Sequence, residues 1–353
     1  MRMKVFVAMS GGVDSSVAAA LLKKQGHDAT GVTMRLTDDM SVEAAAQTAK
    51  ILAIPHEVID FRERFKTTVI DAFAEAYKKG LTPNPCVICN FAIKFGALLD
   101  YALANGADKL ATGHYARIAS AQSEKSEIKN KKSETCFHLL KGLDVRKDQS
   151  YFIYRLNQEK LRHLLFPLGE KTKDEVRKIA GELGLPADER DESQDVCFIP
   201  DGDYQTYLEQ PPGLRAAKGP IVDLEGRVIG EHDGIHTVTV GQRKGLGIAA
   251  AEPLYVLKID AANNRVVVAS REAVFRDSVN VTKIFWTAGA PPAEEFNAGV
   301  KIRYNSTEAP VTVKVTGVES ANIVFEGPQF APAPGQSAVI YDGAEVLGGG
   351  VIV

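Results

Sequence analysis

Along the first half of the chain, short apolar runs alternate with longer stretches in which apolar residues recur every three or four positions. Val5–Met9, Asp28–Arg35, Ile54–Asp60 and Lys109–Gly113 have the texture of buried strands. Between them, Val17–Gln25, Ser41–Leu52, Phe65–Lys79 and Ile93–Asn105 carry the helical period. Strand and helix in alternation predict a doubly wound, mostly parallel sheet with ligands at the carboxyl ends of its strands. The turns Ser10–Ser16 and Gly113–His114 fall at such ends. Helical spacing resumes at Asn157–Leu165 and at Lys173–Leu183, the latter capped by Thr172, and stops near Gly184 and Pro186. Residues Ala119 to Glu134 are polar and lysine-rich, which predicts a mobile surface loop.

From about Pro200 the pattern changes to Pro/Gly-rich turns and short alternating strands. Leu254–Ile259 and Val266–Ala269 flank the turn Ala261–Asn264, a hairpin signal. Val311–Val315, Ile323–Phe325, Ala338–Tyr341 and Gly350–Val353 continue the β pattern. The expected organisation is an α/β domain over residues 1–203, a small linking domain over 204–270 and a β-barrel domain over 271–353. No internal repeat is visible.

Composition adds little but excludes much. At 353 residues, 45% hydrophobic and 25% charged, the chain has the make-up of an ordinary globular protein. No apolar run approaches the roughly 20 residues of a membrane helix, and the first apolar run is too short for a signal peptide. The cytoplasm is therefore expected. A formal charge of −3 means that a polyanion partner would need basic residues gathered on one face. Lys141, Arg146, Lys147, Arg155, Lys160, Arg162, Lys171, Lys173, Arg177 and Lys178 form one such run, which a solvated helix face explains as well.

The most informative stretch is S-G-G-V-D-S-S, Ser10 to Ser16, between a strand and a helix. A glycine-rich turn there leaves backbone N–H groups and the positive end of a helix facing one spot, where phosphate oxygens can be held. Gly11 and Gly12 permit close approach, Ser10, Ser15 and Ser16 add hydroxyl donors, and Asp14 is placed to help hold Mg2+. The Walker A spacing and its lysine are absent. The loop resembles the pyrophosphate-binding loop of the ATP pyrophosphatase (PP-loop) enzymes, which adenylate a carbonyl oxygen and release pyrophosphate.

Sulfur supplies the second signal. Four cysteines, at 86, 89, 136 and 197, are too few and too unevenly placed for a disulfide framework. Cys86 and Cys89 lie in N-P-C-V-I-C-N. Pro83 and Pro85 are expected to hold off a helix until just after Asn90, leaving Cys89 at a helix N-terminus that favours the thiolate. Cys197 lies far away in S-Q-D-V-C-F, with Asp195 two residues before it. Two unrelated buried cysteines remain the plain alternative, and Cys136 matches no motif.

With T-M-R at Thr33–Arg35, A-T-G-H-Y at Ala111–Tyr115, K-D-Q-S-Y at Lys147–Tyr151 and G-Q-R-K-G-L at Gly241–Leu246, the whole chain resembles the tRNA-specific 2-thiouridylase (MnmA/TrmU) family. The resemblance implies an adenine nucleotide alpha-hydrolase-like first domain and ATP-dependent 2-thiolation of the wobble uridine of tRNA. It implies ATP with Mg2+ on Ala8, Met9, Ser10, Gly11, Gly12, Val13, Asp14, Ser15, Met34 and Gly113. Cys197 would carry a persulfide, and Cys89 would then form a disulfide with it. Asn84 and Pro85 would flank the target base. Lys147, Asp148, Gln149, Arg303 and Tyr304 would contact the anticodon arm, while His114 reads as structural or liganding. The sulfur donor would be a cysteine desulfurase, a sulfur-relay protein or inorganic sulfide; neither DNA nor membrane is implied.

One position departs from the family pattern: Cys86 stands where many members have Asp. Either it is a redox or spare thiol, or Cys86, Cys89 and Cys197 together ligate a [4Fe–4S] cluster; three converging cysteines favour the cluster. Three rivals stay open: another PP-loop ligase or amidation enzyme, a tRNA-binding iron–sulfur or redox module, and thiolation of a different tRNA position.

Overall fold

The computed structural model describes residues 2–122, 135–185, 196–199, 202–210, 213–214 and 217–353. Its first half runs β1 (Lys4–Ala8), α1 (Val13–Lys24), β2 (Asp28–Arg35), α2 (Glu43–Ile51), β3 (His56–Asp60), α3 (62–78) and α4 (Pro85–Ala104). It continues with β4 (Lys109–Ala111), β5 (Ala116–Gln122), β6 (Thr135–Lys141), α5 (Gln158–Leu161), β7 (Leu164–Leu165) and α6 (Lys173–Glu182). Five strands make a parallel sheet in the order β3-β2-β1-β4-β7. Period-two alternation sends Val5 and Val7 of β1 to the face covered by α1, α2 and α6, and Phe6 to the face covered by α3 and α4. Burial on both faces explains why these strands read as continuous apolar runs. The doubly wound expectation is met.

Local predictions were revised where tertiary contacts outweigh spacing. The helix expected over Asn157–Leu165 ends at Leu161, and Asn157 caps it by accepting from Lys160 N at 3.0 Å. Leu164 and Leu165 instead add an edge strand beside β4, where Leu164 is buried. The polar stretch expected to be loop from Ala119 is strand as far as Gln122, because β5 pairs along its whole length with β6. The rest of that expectation, residues 123–134, lies outside the described residues.

In the second half, β8 (Gly219–Val222), β9 (Val228–His232), β10 (Tyr255–Asp260) and β11 (Arg265–Ala269) form a small sheet in the order β10-β11-β8-β9. The predicted hairpin joins β10 to β11, with Asn264 taking the left-handed turn position at φ 46°. A barrel follows from β12 (Phe275–Trp286), β13 (Glu295–Lys301), β14 (Ala309–Gly317), β15 (Ser320–Phe330), β16 (Ser337–Asp342) and β17 (Glu345–Ile352). It closes through β12 pairing with β17 around buried Val281, Val313, Ile323 and Ile340. Strands β5 and β6 join this barrel sheet at Leu140 and Glu345, so the first domain contributes two strands to its edge.

The barrel also touches the start of α4: Thr82 N donates to Pro334 O at 2.8 Å, and Gln336 Nε2 donates to Thr82 O at 2.9 Å. By length and mean hydropathy (1.6) α4 could cross a bilayer, contrary to the expectation that no segment could. Half of it is buried inside the protein, where Ile93, Phe95 and Leu98 fill the core. It is a core helix.

Candidate active site

The turn from β1 into α1 is built as the sequence suggests. Gly11 sits at φ +84°, and a Cβ there would meet Ala44 Cβ at 2.8 Å. The Ser15 hydroxyl donates to Gly12 O at 3.0 Å, and Ser10 N donates to Ser15 Oγ at 3.2 Å. Ser16 departs from expectation: it is fully buried and its hydroxyl donates to Gly12 O at 2.9 Å, so it locks the loop from inside. Across the turn Gly113 packs so closely that a Cβ would lie 2.8 Å from Asp14 C and 2.9 Å from Ser15 N.

Between these two turns lies a cavity of about 200 Å3. It is lined by Ala8, Met9, Ser10, Asp14, Ser15, Met34 and Gly113, all expected, and by Met40, Lys94, Thr112, His114 and Gln149. Gly11, Gly12 and Val13 shape the loop without lining the cavity. Asp14 is braced: Lys173 Nζ donates to its two oxygens at 2.8 and 2.9 Å, and the Tyr115 hydroxyl donates to Oδ1 at 2.7 Å. Lys173 itself is buried. His114 is a structural histidine here, bonded to the Thr112 hydroxyl at 2.7 Å and packed on Phe95 and Phe166. Burial, with Lys94 nearby, pushes its imidazole well below the ordinary range, so it stays neutral.

The cysteines sit at the adjoining end of α4. That helix begins at Pro85, before Asn90 rather than just after it as predicted, because proline at the first helical position has the right φ and needs no N–H partner. Asn84 is the cap, its Oδ1 accepting from Val87 N at 3.4 Å. Cys86 and Cys89 therefore occupy the first turn and a half rather than the approach to it. Cys197 comes from the turn Val196–Ile199, held by Phe198, whose ring packs edge-on against Phe65 (5.5 Å) and Phe73 (5.6 Å) of α3. Asp195 lies outside the described residues.

Cys86, Cys89 and Cys197 influence one another electrostatically, and all four cysteines are free thiols, so the Cys89–Cys197 disulfide is not formed. The expected thiolate at Cys89 is not found. Burial pushes its thiol up to about 12, outweighing the opposing field of Lys94. Burial raises Cys86 and exposed Cys197 as well. Among the described residues, no three His, Cys, Asp or Glu side chains converge closely enough to hold a metal ion, so the thiols as found do not fit the cluster.

The expected tRNA residues are only partly presented outward. Asp148 is buried, and its carboxylate accepts from Gly142 N, Ser150 N and the Ser150 hydroxyl at 2.8–3.1 Å, bracing its own loop. Gln149 turns towards the nucleotide cavity and its Oε1 accepts from Tyr115 N at 3.0 Å. Arg303 is half-buried and bonds Ala331 O, while Tyr304 lies against Phe152 with ring centroids 4.4 Å apart. Residues 141–148 and 301–308 nonetheless meet, lining one open cavity of about 450 Å3 with Lys141, Arg146, Lys301 and Tyr304 among its walls. The basic run itself disperses: Lys141 pairs with Glu308, Lys173 with Asp14, and Arg155 and Lys160 stand over Phe91.

Fold and loop together define an adenine-nucleotide-binding α/β protein carrying a thiol site beside the nucleotide cavity. Family models agree with that class and divide the chain: a tRNA methyl transferase HUP domain matches residues 3–201, a tRNA methyl transferase PRC-barrel domain residues 206–270, and an aminomethyltransferase β-barrel domain residues 276–352. A tRNA-specific 2-thiouridylase MnmA from Chloroflexus aggregans is 47% identical over 99% of this chain and 98% of its own. The enzyme of the same name from Nostoc punctiforme is 43% identical over the same shares, and that from Pelobacter propionicus 46% identical over 99% and 97%. The chain belongs to the tRNA-specific 2-thiouridylase family.

Proposed function

We propose that this chain uses ATP to replace O2 of the wobble uridine of tRNA with sulfur. The observation that carries the reading is the placement of three thiols beside the nucleotide cavity, at the end of one helix that also lines it through Lys94. Met34, exposed Ser10, buried Ser15 and the close-packed Gly113 suit an adenine nucleotide, and Mg2+ would enter with its phosphates beside Asp14, the one carboxylate among the described lining residues. Uracil O2 attacks the α-phosphorus, the α–β anhydride bond breaks and pyrophosphate leaves. A flipped base is required, since a stacked one could not reach the site.

The terminal sulfur of a Cys197 persulfide then attacks C2; the C2–O bond breaks and AMP departs with the oxygen. The Cys89 thiolate attacks Cys197 Sγ, breaking the S–S bond, leaving sulfur on C2 and forming a Cys89–Cys197 disulfide. A thiol reductant restores both thiols, and a cysteine desulfurase or sulfur-relay protein renews the persulfide. Asn84 and Pro85 would flank the base. Residues 1–203 would carry the chemistry, with 271–353 and the loop holding Lys147 gripping the anticodon arm. The reduced thiols this needs place the reaction in the cytoplasm.

Unmodified tRNA incubated with ATP and a persulfide donor should yield 2-thiouridine, AMP and pyrophosphate in equal amounts, read by nucleoside mass spectrometry. AMP release without thiolation would favour a different PP-loop reaction; tRNA binding without AMP release would favour a binding module. The cluster alternative on Cys86, Cys89 and Cys197, with inorganic sulfide as donor, would displace the persulfide route if anaerobically purified protein held about four iron atoms per chain and lost activity on their removal.

A further inference from the structure

The nucleotide cavity and the thiols are separate features with one charged side chain in common. Lys94 is half-buried, lines the cavity with Asp14, Thr112, Gly113 and His114, and its field reaches Cys86 and Cys89 of the same helix and Cys197 of the 196–199 turn. Among the described residues no carboxylate pairs with it: Asp14, the nearest lining carboxylate, is taken by Lys173 and Tyr115. A half-buried ammonium with no counter-ion is costly, so an arrangement that keeps one is arranged for an anion that arrives. Two anions arrive here in turn, the phosphates of the nucleotide and the sulfur that attacks the base.

Helix geometry explains how one residue serves both. In an ordinary α-helix, positions five apart point in different directions. Residues Asn90–Leu98 of α4 are π-helical with Cys89 as their cap, and the wider i→i+5 turn sets positions five apart, such as Cys89 and Lys94, nearer to one face than an α-helix does. Lys94 favours the charged form at Cys86, Cys89 and Cys197 alike, and it is the largest influence opposing burial at Cys89 and Cys197.

Resting on the 2-thiolation reading, we propose that Lys94 is a catalytic residue of both half-reactions, pairing with the phosphoryl group during adenylation and then with the attacking sulfur anion. In the second half-reaction it replaces nothing and transfers no proton; it supplies the positive charge that burial otherwise denies the thiolates. The groups facing those thiols are Lys94 and the cysteines themselves from α4 and the 196–199 turn, and the neutral His114 faces Lys94 from the β4 end.

The test compares wild type with K94M, K94Q and K94R in two measurements on the whole chain. The first is tRNA-dependent release of AMP and formation of 2-thiouridine. K94M and K94Q should each lose about a hundredfold or more in thiolation, and K94R should recover most of it. The second is the pH profile of iodoacetamide labelling at Cys89 and Cys197, read by peptide mass spectrometry without ATP or tRNA. Its midpoints should move to higher pH in K94M and K94Q and return in K94R. Wild-type rates and profiles in K94M would overturn the proposal, as would a rate loss in both neutral variants that K94R does not relieve, with labelling unmoved. Failure of wild type to thiolate tRNA would sink the functional reading instead, and the labelling profile would still decide whether Lys94 charges the sulfur site.

Discussion

The nucleotide cavity and the thiol site lie side by side and are built in opposite ways. The cavity is made by backbone: two glycine turns locked against each other, serine hydroxyls donating inward to Gly12 O, and a carboxylate braced by Lys173 and Tyr115. Its shape is in place before anything binds. The thiol site is made of side chains from two segments distant in sequence, its members uncharged by burial, and among the described residues the one cation acting on it, Lys94, also lines the nucleotide cavity. On the proposed reading, binding is pre-organised while sulfur delivery would await an incoming anion and a loaded Cys197. Separating capture of ATP from exposure of a reactive sulfur protects the thiolate from stray chemistry until a base is present.

The sharpest way to break that comparison is to remove sulfur alone. Cys89→Ser and Cys197→Ser should each lower thiolation by about three orders of magnitude or more. Both should leave tRNA-dependent pyrophosphate release in a single turnover within a few fold, because adenylation precedes sulfur attack and neither residue lines the nucleotide cavity. Equal loss of both activities would show that the two sites are one. The converse substitution, Gly113→Ala, forces a Cβ to within 2.8 Å of Asp14 backbone, which cannot yield as a flexible side chain would. ATP binding should weaken about tenfold to a hundredfold, measured by calorimetry, while labelling of the cysteines stays as in wild type.

The two sites were also unequally legible in the sequence. The strand, glycine turn and helix around Ser10–Ser16 announce themselves because local texture and local chemistry coincide; Met34 and Gly113 follow at the ends of the neighbouring strands. Ser16 was misjudged because a hydroxyl in such a loop is as useful inside as outside, and only burial tells which. The start of α4 was misplaced because Pro85 was taken as a breaker when it is an N-terminal residue. Lys173 braces Asp14 across 159 positions, a pairing no local pattern carries. Lys94 was invisible for a different reason: spacing of five from Cys89 says nothing until the helix is known to be π-helical. Asp148, grouped with tRNA contacts by its motif, holds its own loop instead.

A smaller effect sharpens the claim that the cavity is braced. Lys173→Met keeps the buried stem and removes the charge, leaving Asp14 with Tyr115 alone. Because the Asp14 side chain is about a third exposed (32%), water offsets part of the loss. Urea unfolding should show a destabilisation of about 1–2 kcal/mol, nearly absent when Asp14→Asn is already present. A full-sized effect in that background would mean that Lys173 acts through packing rather than through the ion pair.

The smallest effect concerns the thiol site at rest and appears only in alkali. Cys89 is pushed from an ordinary 9.0 up to about 12 by burial, so the folded chain keeps a proton that the unfolded chain gives up. Stability drawn from that difference is complete below pH 9.0 and is lost as pH rises towards 12. The unfolding free energy of wild type should fall across that window more steeply than that of Cys89→Ser, by up to one proton's worth of slope, while at pH 7 the two differ only in packing. Buried tyrosines titrate over the same range, but they do so in both proteins, and the difference between the curves cancels them. Parallel curves would mean that Cys89 titrates as an ordinary solvated thiol, and the contrast between a finished cavity and a thiol site held neutral would go with it.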